Sequence, residues 1–500
     1  MSKGNGQEKM PDPRVVIGLE IHLQLSTKSK VFCECSNEFG GEPNTHACPV
    51  CLGMPGVLPV FNRQVLEYAL RLACALGSRV SDRCRFVRKN YFYPDLPKGY
   101  QISQFHECLA YGGALMIDVG GTAKEIPLDR IQIEEDAGKS LHSEDSHMED
   151  TLVDVNRCGT PLLEIISKPT PGSPDCVYDP RAYLNSPDEA IEYWVKLRQI
   201  TRYLGISECN MEEGNMRADA NISIWDEVRG TFGTKTEIKN LNSFKFAHRA
   251  LTQEIARHTE ILAEGGRVKQ ETMLYDSATD TVAPMRSKEE AHDYRYFPEP
   301  DLVPIVITSE MLTEIQNHVP ELPDERKRRL IGDLGIPPEA ASLLTGERAL
   351  ADYFEEVVAS GVDARSAANW VMGDVLRETN ARKISVADFP LKPADLGALI
   401  ALVASGHINQ NVAKDVFSEM VGSGKPAAQI VQERGLGQIS DRDALVGVVA
   451  EVMGRLGSEI QRYRSGETKL LGFFVGQVMK ATKGRGNPAL VNELIRDFLK

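Results

Sequence analysis

The sequence predicts an α+β protein on three observations. Strand-length segments of alternating apolar and polar residues fill the stretch from Arg14 to about Pro304. Ala- and Leu-rich segments of helical period take over beyond Val303, and four cysteines cluster near the start of the chain. A chain of 500 residues exceeds the size at which one hydrophobic core stops growing, so about two to four domains are expected. The expected division is a disordered leader over 1–13, a mixed domain over 14–303 with an antiparallel sheet, an all-α domain over 304–405 and an α-helical tail over 406–500. The second boundary is set at Ser405-Gly406, where a short polar turn parts two helical groups.

The elements follow in order. Arg14 to Ser26 alternates as a strand, with Ile17, Leu19, Ile21, Leu23 and Leu25 on one face and Gly18, Glu20, His22 and Gln24 on the other. Asn62 to Gly77 has apolar residues at helical spacing and a glycine suited to a C-cap. A second strand, Leu128 to Glu134, sends Ile131 and Ile133 to the core and Arg130, Gln132 and Glu134 opposite, before Glu135-Asp136. Ser186-Pro187-Asp188-Glu189 supplies a capping Ser, a first-turn Pro and two acids, which predicts a helix to Gly205. Asn215 to Ile224 buries Met216, Ala218, Ala220, Ile222 and Ile224 and turns Arg217, Asp219 and Asn221 the other way. Lys235 to Leu241 aligns Glu237 with Lys239, and Phe244 to Gly265 is again helical.

Composition excludes several classes. Hydrophobic residues make up 42% and charged residues 26%, with no apolar run long enough to cross a bilayer. Met1 to Pro13 lacks the apolar centre of a signal peptide, so the cytoplasm is the expected compartment. The formal charge of −14 argues against a chain that is basic throughout, yet the stretch from Glu451 to Lys500 is locally positive.

Cys33-x-Cys35 is followed after twelve residues by Cys48-x-x-Cys51, two knuckles that can close a tetrahedral sulfur shell around Zn²⁺. With sulfur at all four positions no place is left for a reacting water, so the metal is structural. The other six cysteines stand singly in apolar context and read as reduced core thiols. Each polar strand face, taken alone, is explained by one wet face of an antiparallel sheet. Its composition points elsewhere: His, Asp and Asn beside carboxylates are the types that hold Mg²⁺ and grip phosphates. Gly138-Lys139-Ser140 resembles the end of a P-loop, but Ile133 stands where the leading glycine belongs, so a Walker motif is rejected.

Together these segments resemble the B-subunit family of the bacterial and organellar aspartyl/glutamyl-tRNA amidotransferases. The likeness runs through Val16 to His22, the four-cysteine loop to Gly56, Lys89 to Gly99, Glu134 to Lys139, and Asp154-Val155-Asn156-Arg157 with Pro161 to Ile165. It continues through Met211 to Gly214, Arg217 to Asn221, Glu237 to Phe244, His292 to Leu302, Gly472 to Lys480 and Lys483 to Pro488. The resemblance implies a cradle-like catalytic domain, a helical domain and a tRNA-contacting tail. It also implies two partners in a heterotrimer, the family's amidase component and its small third component, with ATP, Mg²⁺ and a structural Zn²⁺ as cofactors. The implied reaction phosphorylates the side-chain carboxylate of Glu-tRNA(Gln) or Asp-tRNA(Asn) and amidates it with ammonia that the amidase releases.

Carried over position by position, Glu20, His22, Glu135 and Glu237 are expected to handle magnesium and phosphate, with Glu134 and Asp219 as further candidates. Lys89, Arg217, Lys239 and Arg295 are expected at ATP or the terminal nucleotides of tRNA. Lys469, Lys480, Lys483 and Arg485 are expected on tRNA phosphates. Two features depart from the family pattern: Gln132 stands where a His is expected, and Thr170 to Pro187 is longer than the usual turn.

Overall fold

A computed structural model of the chain describes residues 14–142, 151–167, 183–226, 231–285, 293–437, 441–482 and 484–500. The expected leader, most of the long Thr170 to Pro187 segment and Lys483 lie outside the described residues. The chain divides into one compact unit up to Leu322 and a second from Pro323 to Lys500.

The first unit is mixed α and β. Its centre consists of β1 (Val15–Gln24), β2 (Thr122–Glu135), β3 (Pro161–Ser167), β4 (Met216–Asp226) and β5 (Thr236–Leu241). They lie side by side in the order β5-β4-β1-β3-β2, all antiparallel, within a sheet of eleven strands among the described residues. The strand alternation expected from the sequence is realised: Ile17, Leu19, Ile21, Leu23, Ile131, Ile133, Ala218, Ala220 and Ile238 all point into one core. Each large aliphatic side chain removed from water contributes about 1.5–3 kcal/mol. Three helices complete that core: α1 (Arg63–Ala75), α2 (Pro187–Tyr203) and α3 (Phe244–Ala263). Their starts are the expected ones. Asn62 accepts from the Gln64 N–H, and Ser186 accepts from the Glu189 N–H, with Pro187 in the first turn. A smaller sheet pairs Val87–Asn90 with Tyr100–Ser103 and Phe297–Pro298.

The first unit reaches past residue 303 because the helix Ser309–Asn317 sends Ile315 into the sheet's core and packs Met311 against it. The turn at Ser405-Gly406 also parts less than its composition suggests. Leu396, Leu399 and Ile400 share one core with Val412, Val416, Phe417 and Ile430, so the helices on either side belong together. A separate small core gathers Leu445, Val449, Phe474, Val478, Val491 and Ile495.

Candidate active site

The face of the central sheet opposite its apolar core carries a cross-strand row of polar side chains. Gln132 of β2 lies opposite Glu164 of β3, Glu164 opposite His22 of β1, and His22 opposite Arg217 of β4. Directly paired residues in a ladder share a face, so these four converge. A neighbouring row sets Glu20 opposite Asp219, and Asn221 opposite Glu237. This is no wet surface. Glu134 is 2% exposed, Asn221 2%, Gln132 5% and Glu164 9%, which is costly for carboxylates unless a compensating charge meets them.

The electrostatics carry the mark of that cost. Burial raises the carboxyls of Glu20, Glu134 and Asp219 above their ordinary range. Glu164 is pushed up to about 8 by burial first and by Glu134 and Glu20 after it. His22 is driven down to about 3 by burial and by the nearby Arg217 and Lys89, so its ring is neutral and offers a lone pair. Its Nδ1 is buried with no partner, and its Nε2 lies 3.7 Å from Glu134 Oε1. Ligand atoms of His22, Glu134 and Glu164 all fall within 4.8 Å of one another, a spacing that fits one hard divalent cation with positions to spare for water and phosphate oxygens.

Cations border the group. Arg217 grips Asp136 with two nitrogens at 3.2 and 3.1 Å, and Gln24 donates to the same carboxylate at 3.0 Å. Burial opposes ionisation of Asp136, but Arg217 and then Arg157 outweigh it and hold the carboxyl at about 2. Lys89, on Val87–Asn90, is raised despite burial by Glu134 and Glu164, and its ammonium sits 5.1 Å from the Tyr294 ring centre. Glu20 accepts from Asn221 at 2.9 Å, and Glu237 lies 3.8 Å from Lys239. Asp219 accepts from the Asn240 N–H at 2.9 Å, where the β4–β5 ladder shifts register and Asn240 takes φ 59°.

Glu135 lies outside this gathering. Glu135 follows Glu134 on an extended strand, so it projects to the other side, where it pairs with Lys98 and accepts from the Ile102 N–H at 2.8 Å. It is not among the ligand atoms that gather around His22. Arg295 is exposed, with φ 44°, and its carbonyl accepts from Asn90 at 2.9 Å. Glu164 and Asp136 are members that the sequence did not single out. The signal for Glu164 was present: it is the one charge in the otherwise apolar strand Pro161–Ser167.

The four cysteines converge as expected, their sulfurs within 4.8 Å of one another, which fits a tetrahedral thiolate metal site. Asn62 ties this loop to α1, donating to the Lys30 carbonyl at 3.2 Å while its own N–H donates to the Val31 carbonyl at 2.9 Å. In the tail, Lys469 and Lys480 are exposed at the two ends of the helix Leu470–Ala481. Arg485 instead spends a nitrogen on the Gly435 carbonyl at 2.9 Å.

Residues 15–313 match the family model described as GatB/GatE catalytic domain, and residues 352–499 match the model described as GatB domain. The chain is 52% identical over 484 residues to the B subunit of the aspartyl/glutamyl-tRNA(Asn/Gln) amidotransferase of Moorella thermoacetica, covering 97% of this chain and 99% of that protein. It is 50% identical over 485 residues to the B subunit of the same name from Thermodesulfovibrio yellowstonii, with 97% and 99% covered. It is 49% identical over 491 residues to that of Carboxydothermus hydrogenoformans, with 98% and 99% covered. With both family models matched in order and about half of all positions identical along nearly its whole length, the chain belongs to the GatB family of amidotransferase B subunits.

Proposed function

We propose that this chain is the carboxylate-activating component of a tRNA-dependent amidotransferase, a ligase that converts Glu-tRNA(Gln), Asp-tRNA(Asn) or both to the amidated forms using ATP. An amidase partner that releases ammonia from Gln or Asn, and a small third partner, would complete the enzyme in the cytoplasm. The observation that carries this reading is the convergence of His22, Glu134 and Glu164 on a buried face bordered by Lys89 and Arg217, in a chain so similar to named amidotransferase subunits.

The chemistry has two displacements. A side-chain carboxylate oxygen bonds to the terminal phosphorus of ATP as the bond to the leaving diphosphate breaks. Ammonia then bonds to the acyl carbon, the bond to the phosphate oxygen breaks, and a proton leaves the nitrogen. A bound Mg²⁺ would offset charge on the phosphoryl group. His22, Glu134 and Glu164 would hold it, with Glu20, Asp219 and Glu237 in the adjoining row. Arg217, fixed in direction by Asp136, and Lys89 are suited to donate to phosphate oxygens. A cavity of about 450 Å³ whose wall carries Lys139, Arg157, Arg217, Asn240 and Asn242 together with the acids Glu38, Asp154, Glu212 and Glu213 is a neighbouring place for part of ATP or of tRNA, its phosphates on the Arg217 and Arg157 side. Burial of the acids keeps water from the acyl phosphate, which water would hydrolyse. Within the family's cradle-like arrangement, the tail would hold tRNA through Lys469, Lys480, Lys483 and Arg485.

The assay is tRNA-stimulated ATP hydrolysis by the assembled complex. His22→Ala and Glu134→Gln are expected to lower it at least about a hundredfold while tRNA binding persists. Turnover unchanged in both variants would overturn the reading and favour a scaffold that only presents tRNA.

A further inference from the structure

We infer that Lys30 is the charge partner of the four-cysteine metal site, and that the site is built to hold its metal as a dianionic tetrathiolate. Lys30 is 0% exposed, which is rare for a lysine without a carboxylate beside it. Among the described residues no acid lies within ion-pair distance of its Nζ. That nitrogen donates to the His46 carbonyl at 2.5 Å and stands 3.9 Å from Cys51 Sγ. A buried ammonium with no anion is strongly disfavoured. The candidate anion that it directly contacts is the Cys51 sulfur.

Four thiolates around one divalent ion leave a net charge of two minus, and Cys51, the buried member of the four, is where water offsets that charge least. Lys30 supplies one positive charge at contact with Cys51, and both contacts follow from the chain's path. Lys30 lies three residues before Cys33, and its N–H donates to the Cys35 carbonyl at 3.1 Å, folding the first knuckle around its stem. His46, whose carbonyl takes the ammonium, lies two residues before Cys48. The lysine thus bridges the two knuckles from inside. Its stem also adjoins Gly159, which takes φ 80°, a conformation that favours glycine; a Cβ there would make ordinary contacts with Cys51 Cβ at 3.4 Å, Lys30 Cδ at 3.6 Å and Glu135 Oε2 at 3.9 Å.

The test compares the full-length protein with its Lys30→Met variant, which keeps most of the stem's volume and removes the charge. Zinc retention is read by competition with a chromophoric chelator, and thermal unfolding is recorded for zinc-loaded and zinc-stripped, fully reduced samples. Loss of an outer-shell partner is expected to weaken zinc binding roughly 10- to 100-fold. The unfolding shifts should differ between the two states: the variant melts below wild type when loaded, and this deficit shrinks or reverses when stripped, because the removed charge then no longer faces a dianionic metal site. Zinc retention within about twofold of wild type would overturn the inference, being far short of the loss that an outer-shell partner produces. So would a destabilisation of equal size in both states, failure to fold in both included, since that would make Lys30 a packing residue.

Discussion

At the scale of single residues, the buried acids explain why the site calls for a cation. Glu164 has its carboxyl pushed up to about 8, against an ordinary value of 4.5, so without a divalent ion the folded protein binds a proton there that the unfolded chain does not. The folded state therefore loses stability as pH rises from about 4.5 to about 8, and a ligand that needs the ionised group binds more tightly over the same interval. Glu164→Gln removes that cost. Its stability relative to wild type should rise across this pH window in chelator, as measured by urea unfolding, and added Mg²⁺ should stabilise wild type alone. A stability difference independent of pH would contradict the assignment. Glu164 was legible as a solitary charge in an apolar strand, but polarity alone does not say which neighbours it meets; that depends on the register of β3 against β1 and β2. Glu135 shows the opposite case, where strand alternation at Glu134-Glu135 sends adjacent acids to opposite sides, whereas their adjacency in sequence suggested a single cluster.

At the scale of elements, the strands and helices of the first unit were readable because alternation, caps and glycine stops agreed with one another. What could not be read was how α3 locks β5. Thr236 donates from β5 to Glu254 of α3 at 2.7 Å, and its hydroxyl lies 2.9 Å from His258, in a group whose Glu254 and His258 are fully buried. These residues are eighteen and more apart in the chain, and no local pattern announces their meeting. Burial works against ionisation of Glu254, yet His258, Arg257 and Thr236 together bring its carboxyl down to about 2. A depressed carboxyl contributes stability that is full above about 4.5 and is lost as pH falls through about 2, worth about 3 kcal/mol here. Glu254→Gln should cost about that much at pH 7 by urea unfolding, with the gap to wild type closing as pH drops from about 4.5 to about 2. A gap that stays constant would show that the group acts by shape instead. Because Glu237 follows Thr236 directly, the same variant should also impair ATP hydrolysis more than tRNA affinity.

At the scale of the whole molecule, the proposed function assigns chemistry to the first unit and tRNA retention to the tail. Exposed Lys469 and Lys480 flank one helix, whereas Arg455, Arg462 and Arg442 are already paired with acids. The Lys469→Ala, Lys480→Ala double variant should weaken tRNA binding and reduce the slope of log affinity against log salt by roughly 0.7–0.9 per lysine lost. ATP hydrolysis at saturating tRNA should stay near wild type; an unchanged salt slope would remove these lysines from the interface. The sequence revealed the helical character of this half but not its cores, since the helices around Ser405-Gly406 join through residues such as Leu399 and Phe417 that any amphipathic helix could supply. The most direct test of the central claim is a titration of the full-length protein with Mn²⁺, a spectroscopic substitute for Mg²⁺, followed by electron paramagnetic resonance. One bound ion per chain is expected in wild type, lost in His22→Ala and in Glu164→Gln and retained in Glu135→Gln. Equal Mn²⁺ binding by wild type and by the His22 and Glu164 variants would contradict the placement of the cation on this face.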